Sequence, residues 1–376
     1  MESLPFKSPE TFIDFTLIHH QAKISPRLKN PDFFFAPAQI NSNMPTALVQ
    51  GSIAIQYVHM LRKNLPQRWE ILTWDPEQDS PDLFLEKAME ADVIIGGEIP
   101  LQSWPTLPKL KMFQIPWTGY DFCSPQTMPQ GIPVCNCYEH ETTIAEYVML
   151  AMLEWQIRLG RMDRRIREKG WDGRQVGKGL YHGEIHGKTL GILGYGHIGR
   201  EIAKRASAFE MRILGIRRKE ESKPEFLDWL GTPERLPELL KQSDFLVVCC
   251  DLNSKTEGML GKKELESMKK EAVLINVARG RVVDEQALYQ VLLDQKIGGA
   301  IIDVWYNYIG ADKKEVWPSN YPFQDFENVI LSAHESAWTR EQIERRWKFV
   351  AGNLERVEQN IPPENLVFYG EQSLGM

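Results

Sequence analysis

The stretch Leu190-Gly-Ile-Leu-Gly-Tyr-Gly-His-Ile-Gly-Arg200 spaces three glycines as G-x-G-x-x-G, at Gly194, Gly196 and Gly199. A short apolar run precedes these glycines, a helical pattern follows them, and a second apolar run, Arg212–Ile216, comes next. In that setting the first glycine permits a tight turn, the second lets the backbone approach a pyrophosphate, and the third lets helix and strand pack closely. The stretch therefore predicts a strand–turn–helix unit that binds a dinucleotide.

The residues around this turn indicate which dinucleotide would bind. The backbone N–H groups of His197 and Ile198 open the helix and should face the pyrophosphate. NAD-binding domains usually carry Asp or Glu about 20 residues further on, where the carboxylate accepts from the ribose 2′-OH. Here the second strand is followed by Arg217 and Arg218, and guanidinium groups bind a 2′-phosphate that a carboxylate would repel. We expect NADP(H); the alternative is NAD, with both arginines as solvated surface charges.

The composition argues against several other classes of protein. With 376 residues, of which 43% are hydrophobic and 25% charged, the chain should form two ordinary soluble domains. A net charge of −7 argues against a nucleic-acid-binding surface, which is usually basic. The five cysteines lack zinc-finger and redox spacing, and the start of the chain lacks the pattern of a secretory signal. No apolar run is long enough to span a membrane, so we expect a cytoplasmic protein. We also expect no bound metal.

Short strands alternate with helices along most of the chain, which predicts parallel sheets with helices on both faces. The alternation begins near Thr46, whereas residues 1–45 show no clear period. A long helix over 142–159 leads to the glycine turn, and an amphipathic helix over 339–359 should return to the first part of the chain. Other helices are predicted over 54–65 and 81–90. The predicted strands cover 46–50, 69–73, 92–95, 109–115, 132–136, 189–193, 212–216, 245–249, 272–276, 299–304 and 329–332.

Polar residues collect where three of the later strands end. Asn276-Val-Ala-Arg-Gly280 follows one strand, Asp303-Val-Trp305 closes the next, and Leu331-Ser-Ala-His-Glu-Ser-Ala337 closes the last. Ligands of open α/β sheets bind outside the carboxyl ends of the strands. We therefore expect these three segments to meet beside the far end of the dinucleotide.

The order of these segments resembles that of the D-isomer-specific 2-hydroxyacid dehydrogenase family, over about residues 91–365. Besides the glycine motif, the resemblance rests on Leu107-Pro-Lys-Leu-Lys111, Gly131-Ile-Pro-Val134, Ile144-Ala-Glu146, Asn276-Val-Ala-Arg-Gly280, Gly299-Ala-Ile-Ile-Asp-Val304 and Ala333-His334. It implies an α/β fold in which a Rossmann dinucleotide-binding domain is inserted into a flavodoxin-like substrate domain. The substrate domain would comprise residues 1–145, with 1–45 as an N-terminal arm, and 338–376; the dinucleotide-binding domain would comprise 146–337.

The resemblance also implies roles for residues at the carboxyl ends of the strands. Arg279 would hold the substrate carboxylate and polarise its carbonyl group. His334 would exchange a proton with the substrate oxygen, which suits an unperturbed pKa of about 6.5. Backbone N–H groups at Gly96 and Gly97 would bind the same carboxylate. The alternatives are a structural ion pair for Arg279, a structural role for His334 and an ordinary glycine turn.

Further residues would line the cofactor or the substrate pocket. Asp303 would accept a hydrogen bond from the nicotinamide carboxamide, unless it only caps a helix or turn. The remaining cofactor-lining positions implied by the resemblance are Leu252, Thr256, Val277, Ala278 and Ala337. Candidate walls of an apolar substrate pocket are Trp117, Tyr120, Tyr138 and Trp338, with core packing as the alternative for each. Members of the family are commonly homodimers that pair through the dinucleotide-binding domain, so we expect a homodimer.

One position departs from the family pattern. Tyr308 stands where the family usually has a glutamate, which accepts from the histidine and keeps it protonated at neutral pH. A neutral phenol cannot raise the imidazole pKa as a carboxylate does, so His334 should be less basic. Reduction of a ketone near pH 7 should then be weaker, because it requires a protonated acid. A shifted loop that brings in Asp312 or Glu335 would restore the usual pair.

The leading interpretation is an NADP-linked oxidoreductase that acts on a small 2-oxo or 2-hydroxy carboxylate, with Arg279 as anchor and His334 as acid or base. The neutral Tyr308 leaves two alternatives open. One is oxidation of another small anion such as formate, which needs no proton transfer. The other is a non-catalytic NAD(P)-sensing protein, comparable to the C-terminal-binding-protein corepressors. The presence of both Arg279 and His334 argues against the second alternative, since a sensor requires neither.

Overall fold

The computed structural model describes residues 44–99, 101, 103–171, 181–308 and 316–371. The predicted N-terminal arm lies outside these residues except for its last two positions, and Asp312 also lies outside them. The strands in the described part are β1 (Thr46–Gln50), β2 (Glu70–Trp74), β3 (Val93–Ile95), β4 (Met112–Gln114), β5 (Pro133–Cys135), β6 (Thr189–Leu193), β7 (Arg212–Ile216), β8 (Trp229–Gly231), β9 (Phe245–Val248), β10 (Val273–Asn276), β11 (Gly299–Ile302), β12 (Val329–Leu331) and β13 (Leu366–Tyr369). The α-helices are α1 (Val58–Asn64), α2 (Pro81–Glu90), α3 (Glu141–Ile157), α4 (Leu159–Lys169), α5 (His197–Ala208), α6 (Leu236–Gln242), α7 (Lys262–Glu266), α8 (Glu285–Leu293) and α9 (Arg340–Glu358). Within these ranges, no helix combines the length and the apolar composition that a membrane crossing requires.

All the predicted strands are present, although several are shorter than predicted. The predicted helix over 54–65 begins as a 3₁₀ turn, Ala54–Tyr57, and continues as α1. The predicted helix over 142–159 ends at Ile157, because Arg158 adopts a left-handed conformation with φ 58°, and the basic residues that follow form α4. Neither β8 nor β13 was predicted. Both are strands of only three or four residues at sheet edges, too short for a clear period in the sequence.

The first sheet has the strand order β2-β1-β3-β4-β5-β13, in which all neighbours are parallel except β13. The order 2-1-3-4-5 is that of flavodoxin-like folds, which confirms the predicted class of this sheet. One face packs on α1 and α9, through residues such as Leu61, Trp347 and Leu354. The other face packs on α2 through Phe84 and Ala88. Helix α9 therefore returns to the first sheet, as its amphipathic pattern predicted.

The second sheet has the order β8-β7-β6-β9-β10-β11-β12 and is parallel throughout. This is the Rossmann order, which reverses direction between β6 and β9 and leaves a crevice at the carboxyl ends of these two strands. Helices α3 and α5 cover one face, through side chains such as Val148 and Ile202. Helices α6, α7 and α8 cover the other face, through side chains such as Leu239, Leu265 and Leu288. The domain boundaries at 145/146 and 337/338 stay a prediction.

In both sheets, an aspartate at the start of one strand forms two hydrogen bonds with the backbone at the start of the neighbouring strand. In the first, the backbone N–H of Asp92 donates to Thr46 O at 2.8 Å, and its carboxylate accepts from Thr46 N at 2.9 Å. In the second, Asp244 makes the same two bonds with Thr189, both at 2.8 Å. An aspartate at this place binds the first N–H of the neighbouring strand, which has no partner further back in the ladder. Each sheet thus has a fixed register, and its carboxyl ends lie side by side.

Candidate active site

The glycine turn between β6 and α5 has a distinct physical reason for each glycine. Gly194 has φ +109°, and a Cβ atom there would lie 2.5 Å from the backbone N of Cys250. A Cβ on Gly199 would lie 2.8 Å from the carbonyl oxygen of Gly194. At Gly196, in contrast, a Cβ would meet no atom within 4 Å. Two of the glycines are thus required by the packing of the protein, and the second faces open space that fits the pyrophosphate of a dinucleotide.

The first turn of α5 opens into the same space. Gly196 is the N-cap residue of this helix and supplies no side-chain cap, so the N–H groups of the first turn point toward the cleft. The exposed imidazole of His197 stacks on the ring of Tyr138, with centroids 4.3 Å apart, while Ile198 is partly buried against the core. The predicted pocket wall Tyr138 therefore lies against the start of the helix.

The two arginines after β7 lie close to an acidic side chain. The guanidinium of Arg217 contacts the carboxylate of Glu221, which also pairs with Arg200 at 2.8 Å. Partial burial and the neighbouring charges of Arg200 and Arg218 lower the pKa of Arg217. A cavity of about 500 Å³ opens beside this cluster and is lined by Lys219, Glu220, Glu221, Ser222, Leu230, Gly231, Thr232 and Arg235. A carboxylate thus lies between two arginines near the place where the sequence predicts a 2′-phosphate.

Arg279 extends from the end of β10 toward the first sheet. Asn276 orders the backbone before it: its amide oxygen accepts from Ala278 N at 3.1 Å and its amide nitrogen donates to Arg279 O at 3.1 Å. The guanidinium donates to Ala278 O at 2.9 Å and to the Asp121 carboxylate at 3.1 Å. It also passes so close to Gly119 that a Cβ there would lie 2.0 Å from Nη2. The Arg279 side chain keeps 31% of its surface exposed, so this ion pair lies in an open cleft.

The loop that carries His334 is held by one buried carboxylate. Asp303 follows β11 and has no exposed surface. Its oxygens accept from the Ser332 hydroxyl at 2.5 Å, from Glu335 N at 2.9 Å and from Ser336 N at 3.2 Å. His334 itself has a left-handed backbone with φ 60°, which is uncommon outside glycine and is kept only where the surroundings impose it. Asp303 thus acts here as a loop cap, and its role toward a carboxamide stays a prediction.

Tyr308 contacts the imidazole of His334. The phenolic oxygen lies 3.1 Å from His334 Nδ1 and also accepts a hydrogen bond from Trp305 N at 3.1 Å. Among the described residues, no carboxylate hydrogen-bonds to this imidazole; Glu335 bonds Asp303 through its backbone instead. Partial burial lowers the pKa of His334, the Asp303 charge opposes this shift and the Arg279 charge adds to it. The imidazole is thus less basic than usual chiefly because of burial, and the effect of Tyr308 on it stays a prediction.

The two glycines after β3 are tightly packed. Gly96 has φ +156°, and a Cβ there would lie 2.3 Å from the carbonyl oxygen of Gln50. Its N–H donates to Gln114 O at 3.0 Å, so this N–H is already used within the first sheet and cannot also bind a substrate carboxylate as predicted. A Cβ on Gly97 would lie 2.1 Å from the ring of Trp117. The carboxylate-binding prediction therefore passes to Gly97 alone, with Trp117 beside it.

The other predicted site residues have mixed surroundings. Tyr120 packs near Phe368 with ring centroids 6.2 Å apart, and the exposed Trp338 packs edge-on against Tyr57 at 6.3 Å. Thr256 donates to Asp251 O at 2.6 Å and so stabilises the loop after β9. The remaining predicted cofactor-lining residues are buried or half-buried and pack against or near the core of the second sheet: Leu252, Val277, Ala278 and Ala337.

The sequence did not single out Asp121, which is the ion-pair partner of Arg279. Its signal was its place in Trp117-Thr-Gly-Tyr-Asp121, a segment just past the carboxyl end of β4. Polar residues at the carboxyl ends of parallel strands are candidates for a site in either sheet. Asp121 is thus a polar residue at a strand end of the first sheet, as Arg279 and His334 are in the second.

A dinucleotide cradle at the switch point of a Rossmann sheet, with an arginine and a histidine beyond it, defines the class of nicotinamide-dependent dehydrogenases. Comparisons with known proteins agree. The family model described as "D-isomer specific 2-hydroxyacid dehydrogenase, NAD binding domain" matches residues 149–336. A glyoxylate reductase from Pyrococcus furiosus is 31% identical over 333 residues, which cover 86% of this chain and 95% of the relative. The chain therefore belongs to the D-isomer specific 2-hydroxyacid dehydrogenase family.

Solved structures share the fold. An NADPH-dependent glyoxylate/hydroxypyruvate reductase from Sinorhizobium meliloti, in complex with NADP and malonate, matches with a TM-score of 0.67 and 22% identity over 88% of this chain and 99% of that chain. The NAD-complexed D-isomer specific 2-hydroxyacid dehydrogenase from Lactobacillus delbrueckii ssp. bulgaricus matches with a TM-score of 0.67 and 22% identity over 86% of this chain and 100% of that chain. Similar folds thus hold either nicotinamide cofactor.

The unequal surroundings of the glycines give a test of the cradle. We expect Gly196→Ala to leave the melting temperature unchanged but to weaken nicotinamide dinucleotide binding at least roughly tenfold, because its methyl group occupies the space left for the pyrophosphate. Gly199→Ala should lower both the melting temperature and the dinucleotide affinity, because its methyl group meets the Gly194 carbonyl. Thermal unfolding and cofactor fluorescence titration measure the two effects. Gly352→Ala, in open space on α9, is the control; unchanged binding in Gly196→Ala would contradict the cradle.

Proposed function

We propose that the protein is an NADP(H)-dependent reductase of a small 2-oxo carboxylic acid. The observation that carries this proposal is the convergence of Arg279, His334 and Tyr308 in one cleft at the carboxyl edge of the second sheet. The Arg279 charge lies close enough to lower the pKa of both His334 and Tyr308, although burial keeps that of Tyr308 above its ordinary value. In this proposal, Arg279 is the anion anchor and His334 the proton donor of one site. The similarity to glyoxylate reductases supports a small substrate.

Each group has a defined task in this proposal. When bound, the nicotinamide cofactor supplies the hydride for the carbonyl carbon. Arg279 holds the substrate carboxylate with the donors that Ala278 and Asp121 leave available, and its charge polarises the neighbouring carbonyl group. His334 delivers a proton to the carbonyl oxygen. Asp303 fixes the loop so that the imidazole stays oriented toward the cleft.

The anchor is tested by Arg279→Lys. We expect kcat/KM for a 2-oxo acid to fall roughly 10- to 100-fold, because a hydrogen bond to a charged group contributes about 1.5–3 kcal/mol and lysine cannot bind the carboxylate bidentately. The binding of NADPH should stay unchanged. Arg281→Lys is the matched control, since Arg281 is largely exposed only two residues further along the chain. Wild-type activity in the Arg279 variant would make the arginine a structural residue.

The preference for NADP(H) rests on the surroundings of Arg217. Glu221 already lies between Arg217 and Arg200, so these arginines are arranged around an anion. We infer that the 2′-phosphate takes the place of this carboxylate, and that Arg218, exposed beside the same crevice, adds a second contact. Guanidinium groups recognise phosphate by charge and planar geometry, which is the physical basis of this exchange.

The cofactor assignment is tested by Arg217→Ala. We expect NADPH binding to weaken roughly 10- to 100-fold while NADH binding changes little, because only NADPH carries the 2′-phosphate. Fluorescence titration with both nucleotides measures this ratio. Arg212→Ala, at the opposite end of the same strand, is the control and should alter neither affinity. Equal losses for the two nucleotides would overturn the assignment.

A homodimer is the proposed assembly. Helix α4 belongs to the segment that leads to the dinucleotide-binding turn, and it exposes Leu159, Met162 and Ile166 on one side, by 64%, 39% and 49%. Apolar side chains at this spacing form a continuous stripe, which commonly marks a contact between proteins.

Light scattering should therefore give a mass of twice 43.4 kDa for the full chain, and Ile166→Glu should shift it toward the monomer. The charge would be buried without a partner in the contact. Leu293→Glu, at another exposed leucine, is the control. A wild-type monomer would contradict the proposed assembly without affecting the proposed reaction.

The decisive experiment for the reaction is an absorbance screen with the nucleotide that binds more tightly. Turnover of a 2-oxo acid with NADPH would support the proposal. Oxidation of formate or a similar anion, without reduction of any 2-oxo acid, would overturn it in favour of the oxidative alternative. Tight cofactor binding without turnover in either direction would favour a cofactor-sensing protein.

A further inference from the structure

The hydrogen bonds of Tyr308 determine where its phenolic proton lies. A phenol has one proton to donate and lone pairs with which to accept. The Tyr308 oxygen already accepts from the backbone N–H of Trp305, and its other recorded neighbour is Nδ1 of His334, 3.1 Å away. Among the described residues, no other protein acceptor is recorded for this hydroxyl group, which is also open to solvent because Tyr308 is 51% exposed. With Tyr308 as the donor and Nδ1 as the acceptor, every group has a partner within the protein, whereas the reverse arrangement leaves the phenolic proton to solvent.

This assignment fixes the tautomer of His334. If Nδ1 accepts, the neutral imidazole must carry its proton on Nε2. A carboxylate in the place of Tyr308 would have the opposite effect, because it would accept from Nδ1–H. With Tyr308 as the donor, the neutral ring presents a donor, rather than a lone pair, on Nε2.

We propose that Tyr308 and His334 form a two-proton relay for the reduction. This deepens the proposed function and rests on it. As the carbonyl carbon gains its electron pair, the Nε2 proton passes to the substrate oxygen, and the phenolic proton of Tyr308 passes to Nδ1. The alcohol product carries the first proton, and the imidazole stays neutral in this step. After the product leaves, Nε2 takes a proton from water and the Nδ1 proton returns to the phenolate, which restores the starting state of both side chains.

The groups around the pair suit this relay. The Trp305 N–H and the Arg279 charge stabilise the transient phenolate, while the charges of Asp303 and Asp121 oppose it. His334 and Tyr308 are both exposed, Tyr308 by 51%, so water can resupply the proton that the relay loses. The lowered pKa of His334 keeps the ring neutral near pH 7, which the relay requires. Asp303 and Asp121 act against this lowering and Arg279 reinforces it.

The relay also gives the reaction a direction. In the oxidative sense the same pair would have to start as phenolate and accept a proton through Nε2. Burial raises the pKa of Tyr308 above its ordinary value, so the phenolate form is scarce at neutral pH. Reduction should then be favoured by the acid–base state of the protein itself. The neutral Tyr308, taken from the sequence as a weakness for reduction, becomes the proton source.

The tautomer is measured first, on the protein without cofactor. Nitrogen-15 NMR of histidine-labelled protein at pH 7.5 should show a pyridine-like Nδ1 and a pyrrole-like Nε2 for His334, with the resonances assigned by their loss in His334→Gln. In Tyr308→Phe this preference should weaken, whereas Tyr306→Phe, which removes a buried neighbouring hydroxyl, should leave it intact. A protonated Nδ1 in the wild type would overturn the relay.

The pH dependence of kcat/KM then tests proton transfer itself. The wild-type reduction should stay level above the ordinary imidazole pKa of about 6.5 and decline only as Tyr308 ionises, above about 10. Tyr308→Phe must use a protonated imidazole, so its rate should fall as the pH rises through the lowered pKa of His334. At pH 8 the loss should be about 100-fold, typical of general acid catalysis, while near pH 5 it should be small.

The two measurements separate failure of the relay from failure of the proposed function. Identical pH profiles for wild type and Tyr308→Phe, with the Nε2–H tautomer present, would reduce Tyr308 to a positioning residue and overturn the relay. A protein that reduces no 2-oxo acid would refute the proposed function and the relay with it. In that case the NMR result still decides whether Tyr308 donates to His334.

Discussion

The loop that bears His334 depends on a single buried carboxylate, that of Asp303. A carboxylate without solvent exposure is costly unless hydrogen bonds satisfy its oxygens, and here a hydroxyl and two backbone N–H groups do so. The donors all come from Ser332, Glu335 and Ser336, so the carboxylate can be satisfied only when the loop is in this conformation. The left-handed backbone of His334 follows from that constraint. The same charge also limits how far the pKa of His334 falls.

Most of the fold could be predicted because its constraints are local. Gly194 combines a positive φ with a close backbone contact, and no other residue satisfies both, so the turn leaves a mark in the sequence. The apolar runs of β6 and β9 to β11 likewise reflect strands buried on both faces. Edge strands leave weaker marks. The four residues of β13, Leu366–Tyr369, include Val, Phe and Tyr, which favour strands, but the run is too short to be assigned without its pairing to β5.

The site was less predictable, because its contacts join distant segments. Arg279 could be singled out from its own strand end, yet its partner Asp121 comes from another sheet and a different part of the chain. Gly96 shows the converse. The sequence suggested a substrate role for its N–H, but the structure uses that N–H to bond Gln114 and uses the missing side chain to admit Gln50. A sequence motif can identify residues near a site, but it does not show which of their N–H and C=O groups lack a hydrogen-bond partner within the protein.

If Arg279 binds the substrate carboxylate as proposed, its ion pair with Asp121 makes that binding an exchange of one anion for another. Asp121 already occupies one nitrogen of the guanidinium, so an incoming carboxylate must share the cation with it or displace it. The affinity of such a ligand is then the difference between two ion pairs, since Asp121 regains its hydration as the ligand loses its own. Asp121 follows a strand of the first sheet and Arg279 a strand of the second. An anion that binds Arg279 would therefore replace an ion pair between the two sheets with an ion pair between the protein and the ligand. In the proposed function, Asp121 would therefore be a counter-ion within the protein that competes with the bound anion for Arg279.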